Sequence, residues 1–255
     1  MDDGQLADYM SEATVRLIGR VRQLAFHDPA EAGFLLRFAA AEKRAARTRQ
    51  EQEKAGCHVP GFLIASITSS CNLHCRGCYA RSEGICGPSA RVELTDGEWQ
   101  NIFQQAAALG ISFCILAGGE PLMRPELLRS AAANRGMVFP VFTNGTLMEG
   151  EAGDLFRDHR NLIPVFSLEG MQEATDARRG TGTFAKVTAS MREAARRHLF
   201  FGTSVTVTAD NVEEVTGPVF QDLLASVGCG IVFFIEYVPT GGDDGLALGK
   251  RGRDE

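Results

Sequence analysis

Several things are scarce in this sequence, and each scarcity excludes something. There is no excess of positive charge: 26 Lys and Arg stand against 32 Asp and Glu, a net charge of −6 with a pI near 5.5. That balance argues against a dedicated nucleic-acid surface. No apolar run approaches the roughly 20 residues that span a bilayer. The opening residues Met1-Asp2-Asp3-Gly4 are acidic and lack the order of a secretion signal, so a cytoplasmic location is expected. A paired set of cysteines is also missing. Seven is an odd number, and three of them crowd between Cys71 and Cys78, which suits metal ligation better than a disulfide framework. Otherwise the composition, 44% hydrophobic and 23% charged over 255 residues, is that of a globular chain long enough for one large barrel or two small domains.

The crowded stretch reads Cys71-Asn72-Leu73-His74-Cys75-Arg76-Gly77-Cys78. Thiolates suit zinc and iron–sulfur centres. A structural zinc site takes four protein ligands, and this stretch offers three cysteines. Three thiolates on a four-iron cluster leave one iron open to an outside ligand, which points to chemistry at that iron. On these residues alone the alternatives are a zinc knuckle completed by His74, His58 or Cys86, or three unrelated thiols. Cys57, Cys86, Cys114 and Cys229 are scattered, and Cys114 lies in an apolar run that reads as core.

The remainder reads in order. Apolar residues from Leu6 to Leu24 recur at helical spacing, and Pro29 opens a second helix that continues through a mixed-charge stretch to Lys54. The interspersed acids make that stretch a solvated face. After Pro60 the pattern changes. Strands are expected at 62–67, 111–117, 137–143, 162–168, 203–208 and 231–238, the first of them buried on both faces. Helices alternate with them at 95–110, 125–134, 149–158, 183–198 and 212–227; the first begins at a Thr95–Glu98 capping box. Such alternation implies a parallel sheet with right-handed crossovers. It leaves open a doubly wound sheet or an incomplete barrel, six units being fewer than the eight of a closed one.

Cys71-x-x-x-Cys75-x-x-Cys78 resembles the cluster motif of the radical S-adenosylmethionine (SAM) enzymes. Gly118-Gly119-Glu120-Pro121, Thr143-Asn144-Gly145, Ser167-Leu168-Glu169-Gly170 and Arg179-Gly180-Thr181-Gly182 resemble further segments of that family. The resemblance implies a partial (β/α)6 barrel with its cluster loop after the first strand, a [4Fe–4S] cluster held by Cys71, Cys75 and Cys78, and SAM chelating the open iron. By the same resemblance Gly118, Gly119, Glu120 and Pro121 bind the SAM amino group and Asn144 lines the cavity. Ser167 and Glu169 meet the ribose, with Glu169 where the family often has Asp. Arg179, a better match than Arg178, pairs with the carboxylate, and Tyr237 at the end of the sixth strand lies near the adenine. Thr206 is a further candidate contact; Thr208, Asn211 and Glu236 lie in the same strand ends. His74, His159 and His198 show no pairing pattern. The position before the last cysteine is often aromatic in the family and here is Gly77; Tyr79 could supply that ring.

The expected activity is reductive SAM cleavage under anaerobic conditions, with an electron donor such as flavodoxin or ferredoxin. The alternative is a non-catalytic iron–sulfur protein with Cys86 as fourth ligand. No cysteine follows Cys229, so the cysteine-rich C-terminal domain of the peptide-modifying branch is not expected here. Residues 1–60 read as a helical extension, 61–240 as the barrel and 241–255 as a polar tail. That tail holds no clear helix to cover the sixth strand, so a truncated C-terminus is expected.

Overall fold

The computed structural model describes residues 29–84, 86, 93–239 and 244–249; the expected helix over 5–26 lies outside them. Six strands form one all-parallel sheet in chain order: β1 (Phe62–Thr68), β2 (Phe113–Gly118), β3 (Phe139–Thr143), β4 (Leu162–Leu168), β5 (Gly202–Val207) and β6 (Ile231–Glu236). The sheet is curled. Phe142 of β3 and Phe233 of β6 touch with ring centroids 5.5 Å apart, whereas strands three places apart in a flat sheet would stand about 14 Å from each other. β1 and β6 do not pair, so the barrel is a half-barrel with two open edges.

Helices that connect successive strands pack on one face of the sheet. These are α2 (Tyr79–Ser82), α3 (Asp96–Ala108), α4 (Pro125–Ala132), α5 (Glu151–Asp158), α6 (Gln172–Arg179), α7 (Thr183–Arg196), α8 (Val212–Thr216) and α9 (Pro218–Ser226). The core between sheet and helices includes Phe103, Leu128, Phe139, Phe156, Phe166 and Phe220, all fully buried. The expected capping box is present: the Thr95 hydroxyl accepts from Glu98 N at 3.3 Å, and Glu98 Oε2 accepts from Thr95 N at 2.8 Å. Helix α3 ends before Gly110, whose φ of +88 favours glycine.

Three expectations change. The single helix foreseen over 212–227 is two, because Pro218 opens a new helix and Gly217 before it is extended (φ −75, ψ 159). Helix α6 was not foreseen; only Thr175 of its eight residues is buried, so it has no apolar stripe to read. Strand β1 is covered on one face only. Ala65 and Ile67 are buried, but Phe62 and Ile64 are 56% and 62% exposed, because a strand at the open edge of a half-barrel has no neighbour to close its inner face.

Helix α1 (Pro29–Lys54) crosses beneath the amino ends of the strands. Phe38 stacks edge-on against Phe113 at 5.4 Å, Arg49 donates to Ser112 Oγ at 3.2 Å and to the Gly110 carbonyl, and Arg160 sits 3.9 Å from Glu31. Its exposed residues include Lys43, Arg44 and Arg47, the solvated face expected. It therefore closes the floor of the barrel and leaves the carboxyl-end mouth open. Among the described residues of 241–255, Asp244–Leu246 form one 3-10 turn.

Candidate active site

The cysteine loop leaves β1 at Thr68 and ends where α2 begins. Its base is fixed by Glu93, whose Oε1 accepts from Thr68 Oγ1 at 2.9 Å and Ser69 Oγ at 2.7 Å. Arg124 donates to the Ile67 carbonyl at 2.7 Å, and Arg81 to the Leu73 carbonyl at 2.8 Å. Cys71, Cys75 and Cys78 are free and partly exposed. Burial pushes the Cys71 thiol up, opposed by the Leu73 N–H. Burial also pushes Cys75 up, while Arg179 and Arg178 pull it toward the thiolate. Among the described residues no three His, Cys, Asp or Glu side chains converge closely enough to hold a single metal ion. Three soft thiol donors on one loop, with Arg178 and Arg179 beside Cys75, suit an iron–sulfur group. Of the zinc-knuckle partners considered, His58 is exposed and bonded to Glu53 at 2.8 Å. Cys86 is buried, and its thiol is pushed up by that burial, lowered by Arg81 and raised by Cys78 and Cys75.

The Gly-Gly turn after β2 lies directly against this loop. A Cβ on Gly119 would stand 2.1 Å from the Ser70 carbonyl oxygen and 3.2 Å from Cys71 Cβ; one on Gly118, where φ is +128, would meet the Thr68 carbonyl oxygen at 2.4 Å. Gly119 N donates to Thr68 O at 2.7 Å and Glu120 N to Ser70 O at 2.8 Å. In trans peptides the carbonyls of Gly118 and Gly119 then point the opposite way, away from the loop backbone. They are acceptors suited to an ammonium group.

Glu120 is fully buried and its carboxylate is consumed locally. Oε1 accepts from Leu122 N at 3.0 Å and Thr143 Oγ1 at 2.7 Å, and Oε2 from Asn144 N at 2.7 Å. Burial raises its pKa against those donors. Its side chain joins the loops after β2 and β3, with Pro121 starting the 3-10 turn that follows. Asn144 in turn donates to Asn72 Oδ1 at 2.8 Å, and Asn72 donates to Thr146 Oγ1 at 2.8 Å. The Thr-Asn-Gly segment is thus bonded to the cysteine loop itself.

Near the end of β4, Ser167 shares a hydrogen bond of 3.1 Å with Ser204, its register partner within β5. Glu169 is 1% exposed and accepts from Arg179 Nε at 2.7 Å, from Arg178 and from Thr206 N at 3.1 Å. Burial works against the Arg179 charge, but Glu169 and Cys75 outweigh it and hold its pKa above the ordinary value. Arg178 also donates to Thr206 Oγ1 at 3.2 Å. Glu169, Arg179 and Thr206, expected as separate contacts, form one cluster beside Cys75. Asn211 braces it, donating to the Glu169 carbonyl at 2.8 Å and the Thr206 carbonyl at 3.0 Å. A cavity of about 360 Å³ bounded by Arg76, Glu169, Arg178, Asp210, Glu214 and Leu246 flanks this group.

Tyr237 is buried against Gly77, while Tyr79 is 52% exposed on the rim. Residues that sequence reasoning missed are the brace Asn72, the brace Thr175, which accepts from Glu169 N at 3.1 Å, and Glu214, which accepts from Met171 N at 3.0 Å. Nothing in their local sequence marks them; each acts across a distance set by the fold.

Residues 65–216 match the family model described as the Radical SAM superfamily. Over 182 residues, 70% of the chain and 44% of the relative, the sequence is 28% identical to the Fe-coproporphyrin III synthase of Methanosarcina barkeri. It is 27% identical, over 64% of the chain and 40% of the relative, to the sporulation killing factor maturation protein SkfB of Bacillus subtilis. The chain spans about half the length of such relatives, or less. Its fold is that of Streptococcus suis SuiB bound to S-adenosylmethionine, with a TM-score of 0.67 at 16% identity, covering 83% of this chain and 50% of that one.

Proposed function

This chain belongs to the radical SAM superfamily, and we propose that its barrel, residues 61–240, binds a [4Fe–4S] cluster and SAM and cleaves SAM reductively to start radical chemistry on a substrate. The observation that carries the reading is the contact between the two halves of the site. The three-thiol loop and the Gly118–Gly119 turn touch closely enough that no Cβ fits between them. A group on the thiols and one on the turn's carbonyls would therefore be neighbours.

When bound, the cluster supplies the electron that splits SAM into methionine and an adenosyl radical. The chain's own residues bind and orient. Cys71, Cys75 and Cys78 hold the cluster; the carbonyls of Gly118 and Gly119, with Glu120 and Pro121 fixing the turn, receive the SAM amino group. Arg179, kept charged by Glu169, stands ready for a carboxylate. Ser167 and Thr206 offer hydroxyls and Glu169 a carboxylate to the ribose, and Asn144 lines the cavity.

The work would be done anaerobically in the cytoplasm with flavodoxin or ferredoxin as electron donor; among the described residues no helix is long and apolar enough to cross a membrane. Relatives named for Fe-coproporphyrin III synthesis, haem synthesis and peptide cyclisation bracket the substrate classes to screen first. The test is anaerobic reconstitution followed by iron and sulfide analysis. About four of each per chain, lost in Cys71→Ala, Cys75→Ala and Cys78→Ala but kept in Cys86→Ala, supports the reading. Stoichiometric zinc without iron overturns it.

A further inference from the structure

The half-barrel leaves the cysteine loop with a mechanical problem. It starts from β1, which among the described residues is an edge strand paired on one side only, with β2. A loop tied at one end to an open edge opens easily unless something grips it. Besides the bonds already described at residues 67–73, the loop is gripped at residues 76 and 77, between Cys75 and Cys78. Arg76 N donates to the Arg178 carbonyl at 2.8 Å. A Cβ on Gly77 would stand 2.9 Å from Tyr237 Cε2, 3.1 Å from Tyr237 Oη and 3.2 Å from Leu246 Cδ1.

Both partners come from the far side of the mouth and are themselves anchored. Tyr237 N donates to the Val207 carbonyl at 2.9 Å, one residue past the last β5–β6 pair. The Leu246 carbonyl accepts from Ala209 N at 3.1 Å. Tyr237 and Leu246 are 3% and 4% exposed, so the ring is committed to protein contact. Gly77, at φ +63, is the residue that lets the ring come this close.

We propose that Tyr237, with Leu246 beside it, is a latch that fastens the cysteine loop across the open mouth and sets how firmly the loop retains its iron. Tyr237 is then a positioning residue acting through Gly77. This inference rests on the cluster reading of Cys71, Cys75 and Cys78.

The test compares wild type, Tyr237→Ala, Tyr237→Phe and Leu246→Ala, each reconstituted anaerobically and then mixed with a ferrous chelator while cluster absorbance is followed. Tyr237→Ala and Leu246→Ala should lose iron about tenfold faster than wild type, the low end of the effect of removing support behind metal ligands. Tyr237→Phe, which keeps the ring against Gly77, should retain iron better than Tyr237→Ala. Met191→Ala, a core variant in α7, controls for general destabilisation and should lose iron at the wild-type rate. Iron loss at the wild-type rate in both Tyr237→Ala and Leu246→Ala overturns the latch, as does equally fast loss from Met191→Ala. Leu246→Ala decides the matter should Tyr237→Ala not fold. A wild type that takes up no cluster instead overturns the cluster reading, so the two failures are distinguishable.

Discussion

Glu169 and Arg179 form a buried ion pair at the carboxyl ends of the strands, with Arg179 Nε donating to Glu169 Oε1 at 2.7 Å and side-chain exposures of 11% and 1%. Breaking such a pair from one side leaves the other charge buried without compensation, which costs about 3–5 kcal/mol. Glu169→Ala should lose that much stability in urea unfolding and should bind SAM more weakly, while still taking up about four irons. A loss below about 1 kcal/mol would show the pair to be solvated like a surface bridge.

The Glu120 carboxylate accepts from Asn144 N through Oε2 and from Leu122 N and Thr143 Oγ1 through Oε1. In Glu120→Gln one oxygen becomes an amide that must face an N–H donor. The expected cost is about 1–3 kcal/mol, the penalty of a buried unsatisfied donor. A thermal melt of the cluster-free protein measures it, and an unchanged midpoint would contradict the assigned bonds.

Gly119→Ala places a methyl 2.1 Å from the Ser70 carbonyl oxygen, a distance that only backbone movement relieves. Because that backbone leads into Cys71, the variant should bind less iron than wild type on reconstitution. Full iron loading in Gly119→Ala would mean that the turn and the loop move independently.

Much of this was legible in the sequence because the relevant signals are local. The apolar runs between turns placed all six strands, and the cysteine and Gly-Gly spacings marked the loops after β1 and β2. What the sequence hid depends on closure. Helix α6, Gln-Glu-Ala-Thr-Asp-Ala-Arg-Arg, is a polar string whose helicity follows from its place between β4 and α7. The double exposure of Phe62 and Ile64 follows from the open edge, which no local pattern encodes. Glu169 and Arg179 read as two ligand contacts; the registry of β4 against β5, with Leu168 opposite Val205, brings Glu169 to Thr206, and the turn of α6 brings Arg179 back to them. The contact of the Tyr237 ring with Gly77, from the other end of the chain, likewise has no local signal.

Thr95 caps α3 through Glu98 N, and the Thr95 backbone and side-chain donors hold Glu98 below its ordinary pKa. Thr95→Ala should cost about 1 kcal/mol near neutral pH. A carboxyl depressed in the folded state stabilises above its unfolded pKa and stops doing so as pH falls through the folded value. The gap between wild type and Thr95→Ala should therefore narrow on acidification below the ordinary Glu98 range. Denaturant titrations of both proteins across that range check this, and a gap that widened would contradict it.

The most direct measurement for the whole account is deoxyadenosine, quantified by chromatography after anaerobic incubation of the reconstituted protein with dithionite and SAM. Wild type should form deoxyadenosine and methionine together, and Cys75→Ala should form neither above background. A fully loaded wild-type cluster that yields no deoxyadenosine and binds no SAM would contradict the account and leave the chain an iron–sulfur protein without this chemistry.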